Sequence, residues 1–588
     1  MNKFATMQCQ NRGKALHHPN SSVPQLLRGS RPRQVYSKLK QLGKPSLVQT
    51  FVAAPQEVRP SEGETVQAPP QNQDVHNPAL LTNERAASKK QPFTWTKQWY
   101  PVAVVADTDT SRPHAVRMLG GKYVLWCDSK GEWHCQQDRC PHRLAPLSEG
   151  KIEADTLQCS YHGWRFRGDG TCAAIPQAPP ALHDTMTASP RSCVTSFPVS
   201  IKHGLIWVWP DNSPDRFVVA AGHELAPEAP PEQGKDGLTW YTFLPWFARL
   251  FPYSMDTLFD NTLDPSHVPW SHHSVIGDRT KVTPIQMEIL EPVSPKGLKT
   301  SYFTLNREAT ATGLSDKPDP ATVHLQFRAP NTLVYDTYRH DGTRTKLLAY
   351  VTPTKPGECM VIAQTWDTRP TLLDKLPLPI PPWYAHQIFL KAADGDMVLL
   401  KEQEVTVPEL PKGWREFHMP TRADVGVRMW REWLERYTNG TSSGPYQLAS
   451  AAEQQQAPLE ARKMTKEQLL DRFNQHVKHC PHCSGALNTF KASTWVAGVA
   501  AAVFAQLSLL SALKLAGPAA AAAAATAGSA AANAATAATL SLGPLSLPLH
   551  VVWAAVFAVA SAACIKLALA SNNTARAFVF EDYVHAHI

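Results

Sequence analysis

Residues 140–150, CPHRLAPLSEG, and residues 157–166, LQCSYHGWRF, decide how this chain is read. Each stretch carries one cysteine and one histidine: Cys140-x-His142, then, after sixteen intervening residues, Cys159-x-x-His162. Two such pairs on tight loops can hold one tetrahedral zinc ion or a two-iron cluster. Zinc knuckles and fingers usually place ligands of one kind close together, as in CxxC and HxxxH. Here each loop supplies one thiolate and one imidazole.

That mixture suits a Rieske [2Fe–2S] centre, in which each loop gives its cysteine to one iron and its histidine to the other. Replacing two anionic thiolates by neutral imidazoles raises the potential from about −400 mV to about −150 to +300 mV. Cys140 and Cys159 are then expected on the inner iron, with His142 and His162 on the outer, solvent-facing one. Cys127, Cys135, Cys172 and Cys193 fit no pair and are expected to pack. Around the loops, YPVAVVA (100–106), KYVLWCD (122–128), GEWHCQQ (131–137) and GLIWVWP (204–210) are short β-like runs between turn residues. They predict an antiparallel β domain over 92–212.

Downstream, strand-like runs (322–330, 346–353, 359–366) alternate with helical ones (255–270, 384–404), which predicts an α+β, helix-grip-like domain over 213–455. It carries a second constellation. In DNTLDPSHVPWSHH (260–273), His267 and His272 lie about one turn apart. A facial triad for non-haem Fe(II) needs two histidines and one carboxylate, with positions left open for O₂. AADGDMVLLKEQE (392–404) offers Asp396, with Asp394 as second choice, while His273 is expected to point away. Asp264 is placed to accept a hydrogen bond from the His267 imidazole through its carboxylate, and Asn261 lies a turn earlier on the same face.

The ends of the chain differ from the middle. Nine Lys and Arg precede the first acidic residue, Glu57, so they alone exceed the net charge of +8. The basicity therefore belongs to a leader, and a nucleic-acid surface is not expected. A basic, acid-free start without a long apolar core predicts an organelle transit peptide over 1–55, followed by a Pro/Gln-rich linker over 56–91. Eleven unevenly spaced cysteines do not suggest a secreted disulfide framework.

A charged helix with a CxxC motif is expected over 456–493. Residues 494–513 are twenty without a charge, enough to cross a hydrocarbon core of about 30 Å. A transmembrane helix is predicted over 494–515 and a second over 547–570, joined by an Ala-rich connector (516–546) and followed by a tail (571–588). The hairpin would return that tail to the side of the catalytic domains.

WYPV (99–102), CPHRLAPLSEG, LQCSYHGW, DPSH (264–267), DGDM (394–397) and FVFEDYVH (578–585) together resemble the chloroplast Rieske non-haem iron oxygenases, the pheophorbide a oxygenase group in particular. The resemblance extends from Trp95 to the C-terminus, the Ala-rich connector excepted. It implies that reduced ferredoxin feeds the cluster and that the mononuclear Fe(II) activates O₂ to oxygenate a chlorin, opening pheophorbide a to red chlorophyll catabolite. It also implies a chloroplast membrane location with stromal catalytic domains, and a homotrimer in which Asp264 bridges the cluster of one subunit and the iron of the next. At Cys480-Pro-His-Cys483 it implies a thioredoxin-linked redox switch, while zinc held by four of His476, His479, Cys480, His482 and Cys483 is the alternative. A phyllobilin or protochlorophyllide oxygenase, or a redox-sensing component of the envelope import machinery, are the other functional readings.

Overall fold

The computed structural model describes residues 93–585, apart from 226, 229, 235–236, 311–312, 370–380, 439–443, 447, 462, 526–538 and 543–544. The expected leader and linker lie outside that range.

Three antiparallel sheets build the N-terminal part. One joins Tyr100–Val104, Leu205–Val208 and Val199–Lys202, and a second joins His114–Met118, Gly121–Cys127, Trp133–Gln137 and Ser196–Phe197. The third joins Lys151–Glu153, Thr156–Gln158, Arg165–Phe166 and Cys172–Ala174; Cys159 and His162 lie in the loop between its second and third strands, and Cys140 and His142 in the connection that enters it from the second sheet. The strand Gly121–Cys127 explains its own apolar sequence. Successive side chains point to opposite faces, so Tyr123 and Leu125 enter the main core, while Val124 and Trp126 enter a second core under the loops with Leu147, Leu157 and Phe166.

The second part is a seven-stranded antiparallel sheet. Its strands Ile285–Ser294, Gly297–Thr310, Gly313–Arg328, Thr332–Arg339, Arg344–Lys355 and Glu358–Asp367 run as a meander, and Tyr241–Phe251 pairs with the last of them. In Tyr241–Phe251 an extra residue sits between the pairs Leu244↔Thr365 and Phe247↔Ala363. This bulge contains Pro245, which cannot donate to a ladder. It lets Leu244 and Phe247 both face the same helix, where they meet Ala385 and Leu390.

Five helices matter for function: α1 (Met255–Thr262), α2 (Pro382–Thr406), α3 (Val425–Thr438), α4 (Pro481–Ala525) and α5 (Leu549–Ala577). Arg431 on α3 bonds Asp260 on α1 (Nε to Oδ1, 2.8 Å), and Trp430 Nε1 donates to the Asp256 carbonyl (3.2 Å). These contacts fix α1 ahead of the histidine segment. The first two sheets and the seven-stranded sheet share one core, and Leu119 N and Gly120 N donate to Pro353 and Thr354 carbonyls at 2.8 Å. Gly120 has φ +84°, and a Cβ there would lie 2.4 Å from Ala449 N, so glycine alone permits that approach.

The charged stretch before the CxxC is not one helix. It breaks into Ala451–Ala461, Lys466–Leu469 and Arg472–Gln475. Thr465 and Gln468 form a capping box, and the Asp471 carboxylate accepts from Asn474 N, so each cap restarts the chain in a new direction. The next helix begins within the CxxC, at Pro481, and runs on to Ala525, past the expected end of the span, as an Ala-rich sequence allows.

Helices α4 and α5 are long and apolar enough to cross a membrane. They pair antiparallel, with Ser508 Oγ donating to Ala554 O and Ser561 Oγ to Ala501 O, both at 2.9 Å, and Phe504 stacked on Phe557. Small residues line the seam, while Trp495, Val499, Leu509, Val559 and Leu567 face outward.

Candidate metal centres

The two Cys/His loops are the same turn made twice. Cys140 N donates to Ala145 O and Cys159 N to Trp164 O, each five residues on, at 2.8 Å. Leu144 N donates back to Cys140 O (2.9 Å) and Gly163 N to Cys159 O (3.0 Å), and these two residues have φ +63° and +73°. A leucine in the left-handed region costs about 1–2 kcal/mol, a strain confined to the loop that presents His142. Cys140 and Cys159 are buried, whereas His142 is exposed and His162 half-buried. The imidazoles lie side by side, ring centroids 4.5 Å apart, with His142 stacked on Trp164.

Burial pushes the Cys140 thiol up to about 12, opposed by the backbone N–H groups of His142 and Arg143 that point at its sulfur. Such N–H donors suit a cluster thiolate. Among the described residues, the groups whose donor atoms crowd within 4.8 Å of one another, as ligands of a single ion would, are others. A wider spread of two thiols inside and two imidazoles outside is what a two-iron cluster needs.

The second centre forms where α1 ends. After Leu263 the chain makes a short turn, Pro265–His267, started by the Asp264 carboxylate accepting from Ser266 N (2.8 Å) and Ser266 Oγ, and then one turn of helix, Val268–Ser271. His267 Nδ1 donates to the backbone carbonyl of Asp264 at 2.5 Å. This corrects the expected contact: the main chain orients the ring, while the carboxylate accepts from Ser266 through Oδ1. Either way Nδ1 carries the proton, which leaves Nε2 as a free lone pair.

His267, His272 and Asp396 converge, with Asp396 Oδ2 3.2 Å from His272 Nε2 and 3.9 Å from His267 Nε2. Asp396 Oδ1 is buried with no partner among the described residues. A buried, unpartnered carboxylate oxygen beside two imidazoles is the donor set of a facial triad, so these residues fit a mononuclear iron.

Asp394 goes elsewhere. Its Oδ1 pairs with Arg249 Nη2 and its Oδ2 with Arg472 Nε, both at 2.7 Å, with all three side chains buried. Gly395 between the two aspartates permits close approach: a Cβ would lie 2.5 Å from Ser271 O. His273 faces away, accepting from Arg279 N at 3.1 Å. Asn261 accepts through its backbone carbonyl from Asp264 N (3.0 Å), and among the described residues its side chain makes no bond to the triad.

Sequence reasoning passed over three tyrosines near Asp396. Tyr253 is buried with its hydroxyl unpartnered among the described residues, and burial followed by the charge of Asp396 holds its pKa well above the usual tyrosine value. Tyr335 donates to Thr262 O, and Tyr583 in the C-terminal tail donates to Ser271 O. A cavity of about 780 Å³ opens beside His267, lined also by Trp270, Ile285, Tyr302, Pro420 and Arg422. No local signal marks these residues, since they come from separate segments.

The CxxC cysteines are both buried and lie close to His476, while His479 and His482 are exposed. The fourth neighbour is His386 on α2, which the sequence did not single out.

The Rieske [2Fe-2S] domain family matches residues 98–198, and the Pheophorbide a oxygenase family matches residues 327–414. The chain is 34% identical over 426 residues to a chloroplastic pheophorbide a oxygenase of Arabidopsis thaliana, covering 68% of this chain and 74% of the relative. It is 31% identical to its counterpart in Oryza sativa subsp. japonica (75% and 80%), and 29% identical to the chloroplastic flavonoid 8-hydroxylase 2 of Ocimum basilicum (73% and 82%). The chain therefore belongs to the pheophorbide a oxygenase family: it is a Rieske-type monooxygenase whose cofactors are a [2Fe–2S] cluster and a mononuclear non-haem iron.

Proposed function

We propose that this enzyme takes electrons from reduced ferredoxin and oxygenates pheophorbide a, opening the macrocycle toward red chlorophyll catabolite. The observation that carries this reading is the cavity of about 780 Å³ walled by His267, by apolar side chains such as Trp270 and Ile285, and by polar ones such as Gln286 and Arg422, a size within the range of about 300–1,000 Å³ for ligand sites. His267, His272 and Asp396 would hold an iron, which would supply O₂ activation when bound.

The chain's own residues prepare that chemistry. Cys140 and Cys159 would hold the cluster on the buried side and His142 and His162 on the solvent side, where the exposed Leu144 and Tyr161 offer an apolar rim to a docking donor. The Asp264 carbonyl keeps the His267 proton on Nδ1. Trp270, Ile285 and Tyr302 offer flat, mostly apolar walls to a pigment and limit water at the site. Helices α4 and α5 anchor the enzyme in a chloroplast membrane, envelope or thylakoid, with the catalytic part on the stromal side, near the source of a hydrophobic chlorin. A homotrimer, with Asp264 joining the cluster of one subunit to the iron of the next, belongs to the same proposal.

The test is turnover of the full-length enzyme with reduced ferredoxin and ¹⁸O₂ against pheophorbide a, protochlorophyllide, a phyllobilin and a flavonoid, read by product mass. One ¹⁸O in an opened pheophorbide a product is the expected result. Turnover of another member of the panel instead reassigns the substrate. No turnover of any, together with a thiol response to thioredoxin, overturns the enzyme reading in favour of a redox sensor in the import machinery.

A further inference from the structure

We propose that His386, His476, Cys480 and Cys483 form a structural zinc site that fastens the base of the apolar hairpin to the helix carrying Asp396. The four residues come from three segments: α2, the turn after Arg472–Gln475, and the start of α4. Their exposures are 0%, 1%, 2% and 0%, and their donor atoms all lie within 4.8 Å of one another.

The spacing is that of a tetrahedron. With Zn–S of about 2.3 Å and Zn–N of about 2.0–2.1 Å, a tetrahedral S···N edge is about 3.6 Å. The structure has Cys480 Sγ to His386 Nδ1 at 3.6 Å, Cys483 Sγ to His386 Nδ1 at 3.5 Å, and Cys483 Sγ to His476 Nε2 at 3.3 Å. Ordinary S–H···N hydrogen bonds do not account for this set. Both sulfurs approach the same nitrogen of His386, which has one in-plane lone pair and can accept from only one of them. One ion at the centre satisfies all four lone pairs.

The surroundings support a ligand role. His476 Nδ1 donates to the Ala248 carbonyl at 2.7 Å, which fixes the tautomer and aims Nε2 at the sulfurs, the usual arrangement behind a metal-bound imidazole. Val477, Leu487 and Phe578 close over the cluster, with Trp383 and Phe490 packed against them. Burying two imidazoles among such side chains is costly without a partner for their lone pairs. The same cover shields both sulfurs from a thioredoxin, which must reach one of them to exchange. Binding releases the two thiol protons, so Zn²⁺ with two thiolates is neutral and suits an apolar pocket.

His386 and Asp396 are ten residues apart on α2, about 15 Å along the helix. The zinc site thus sets where the iron-bearing helix stands relative to the hairpin.

Metal analysis of the full-length holoenzyme, purified without chelator, tests this. The expected content is about one zinc and about three iron per chain. Cys483→Ser and His386→Ala should lose the zinc while keeping the Rieske paramagnetic signal. Should those variants fail to fold, His386→Cys retains a Cys₃His set and should keep the zinc. Protein grown on Co²⁺ should show thiolate-to-cobalt absorption with tetrahedral ligand-field bands. Iron at full content with no zinc in the wild type, or a native Cys480–Cys483 disulfide, overturns the proposal.

Discussion

Tyr583 Oη donates a 2.6 Å hydrogen bond to the carbonyl of Ser271, the residue before His272. The C-terminal tail therefore reaches back from α5 and holds the main chain beside the mononuclear site, with His585 Nε2 bonded to the Gly395 carbonyl alongside (2.8 Å). Tyr583→Phe removes one buried bond and leaves the Ser271 carbonyl unpaired, a loss of about 1–3 kcal/mol. The measurements are thermal unfolding and mononuclear iron content. A variant equal to the wild type in both would show that the tail merely rests on the site.

The two aspartates of DGDM should separate cleanly. Asp394→Ala leaves Arg249 buried without a carboxylate and Arg472 with Glu581 alone, and breaking such a buried set costs about 3–5 kcal/mol. Asp396→Ala removes a ligand instead, so iron should fall from about three to about two per chain with little change in unfolding temperature. Iron loss in the Asp394 variant at unchanged stability would reverse the assignment.

His267→Ala should abolish turnover while the Rieske paramagnetic signal persists, because the cluster ligands come from two loops of the N-terminal β part and His267 from the turn after α1. Loss of that signal would contradict two independent centres.

The Asp264 carboxylate has one task visible among the described residues, starting the Pro265–His267 turn through Ser266. Asp264→Ala should cost about 1 kcal/mol, whereas Asp264→Asn keeps the cap and should spare stability and both metals. If the carboxylate also carries electrons between centres, Asp264→Asn slows single-turnover oxidation of the cluster. Unchanged kinetics would leave it a capping residue.

Gly395→Ala places a methyl 2.5 Å from Ser271 O and 3.1 Å from His272 Nδ1. We expect a loss of about 1–3 kcal/mol from overpacking and weakened iron retention, read by iron analysis before and after dialysis. Full iron retention would mean that α2 can withdraw without disturbing His272.

Much of the chemistry is legible locally. Cys140, His142, Cys159 and His162 lie within two short loops, so spacing alone brings each pair together, and the order of ligand types names the cluster. His267 and His272 are likewise neighbours across one turn. The β runs around the loops were readable because KYVLWCD is apolar on both faces and bounded by turn residues, and the structure shows both faces covered. Where caps compete with helix propensity, as at Thr465 and Asp471, a continuous charged pattern was a poor guide, and the helix broke.

The sequence by itself determined which residue types stand close along the chain: two Cys/His loops, a histidine pair, a CxxC and two apolar spans. Only the tertiary structure decided between Asp394 and Asp396, because residues two apart on a helix point about 200° from one another and packing selects the face. Arg249 and Arg472 claim one carboxylate, and the histidines face the other. The same holds for His386, more than ninety residues before Cys480 and joined to it by no local pattern. Its place in the cluster follows from α2 docking on the bulged strand Tyr241–Phe251, a contact set by burial of side chains distant in sequence.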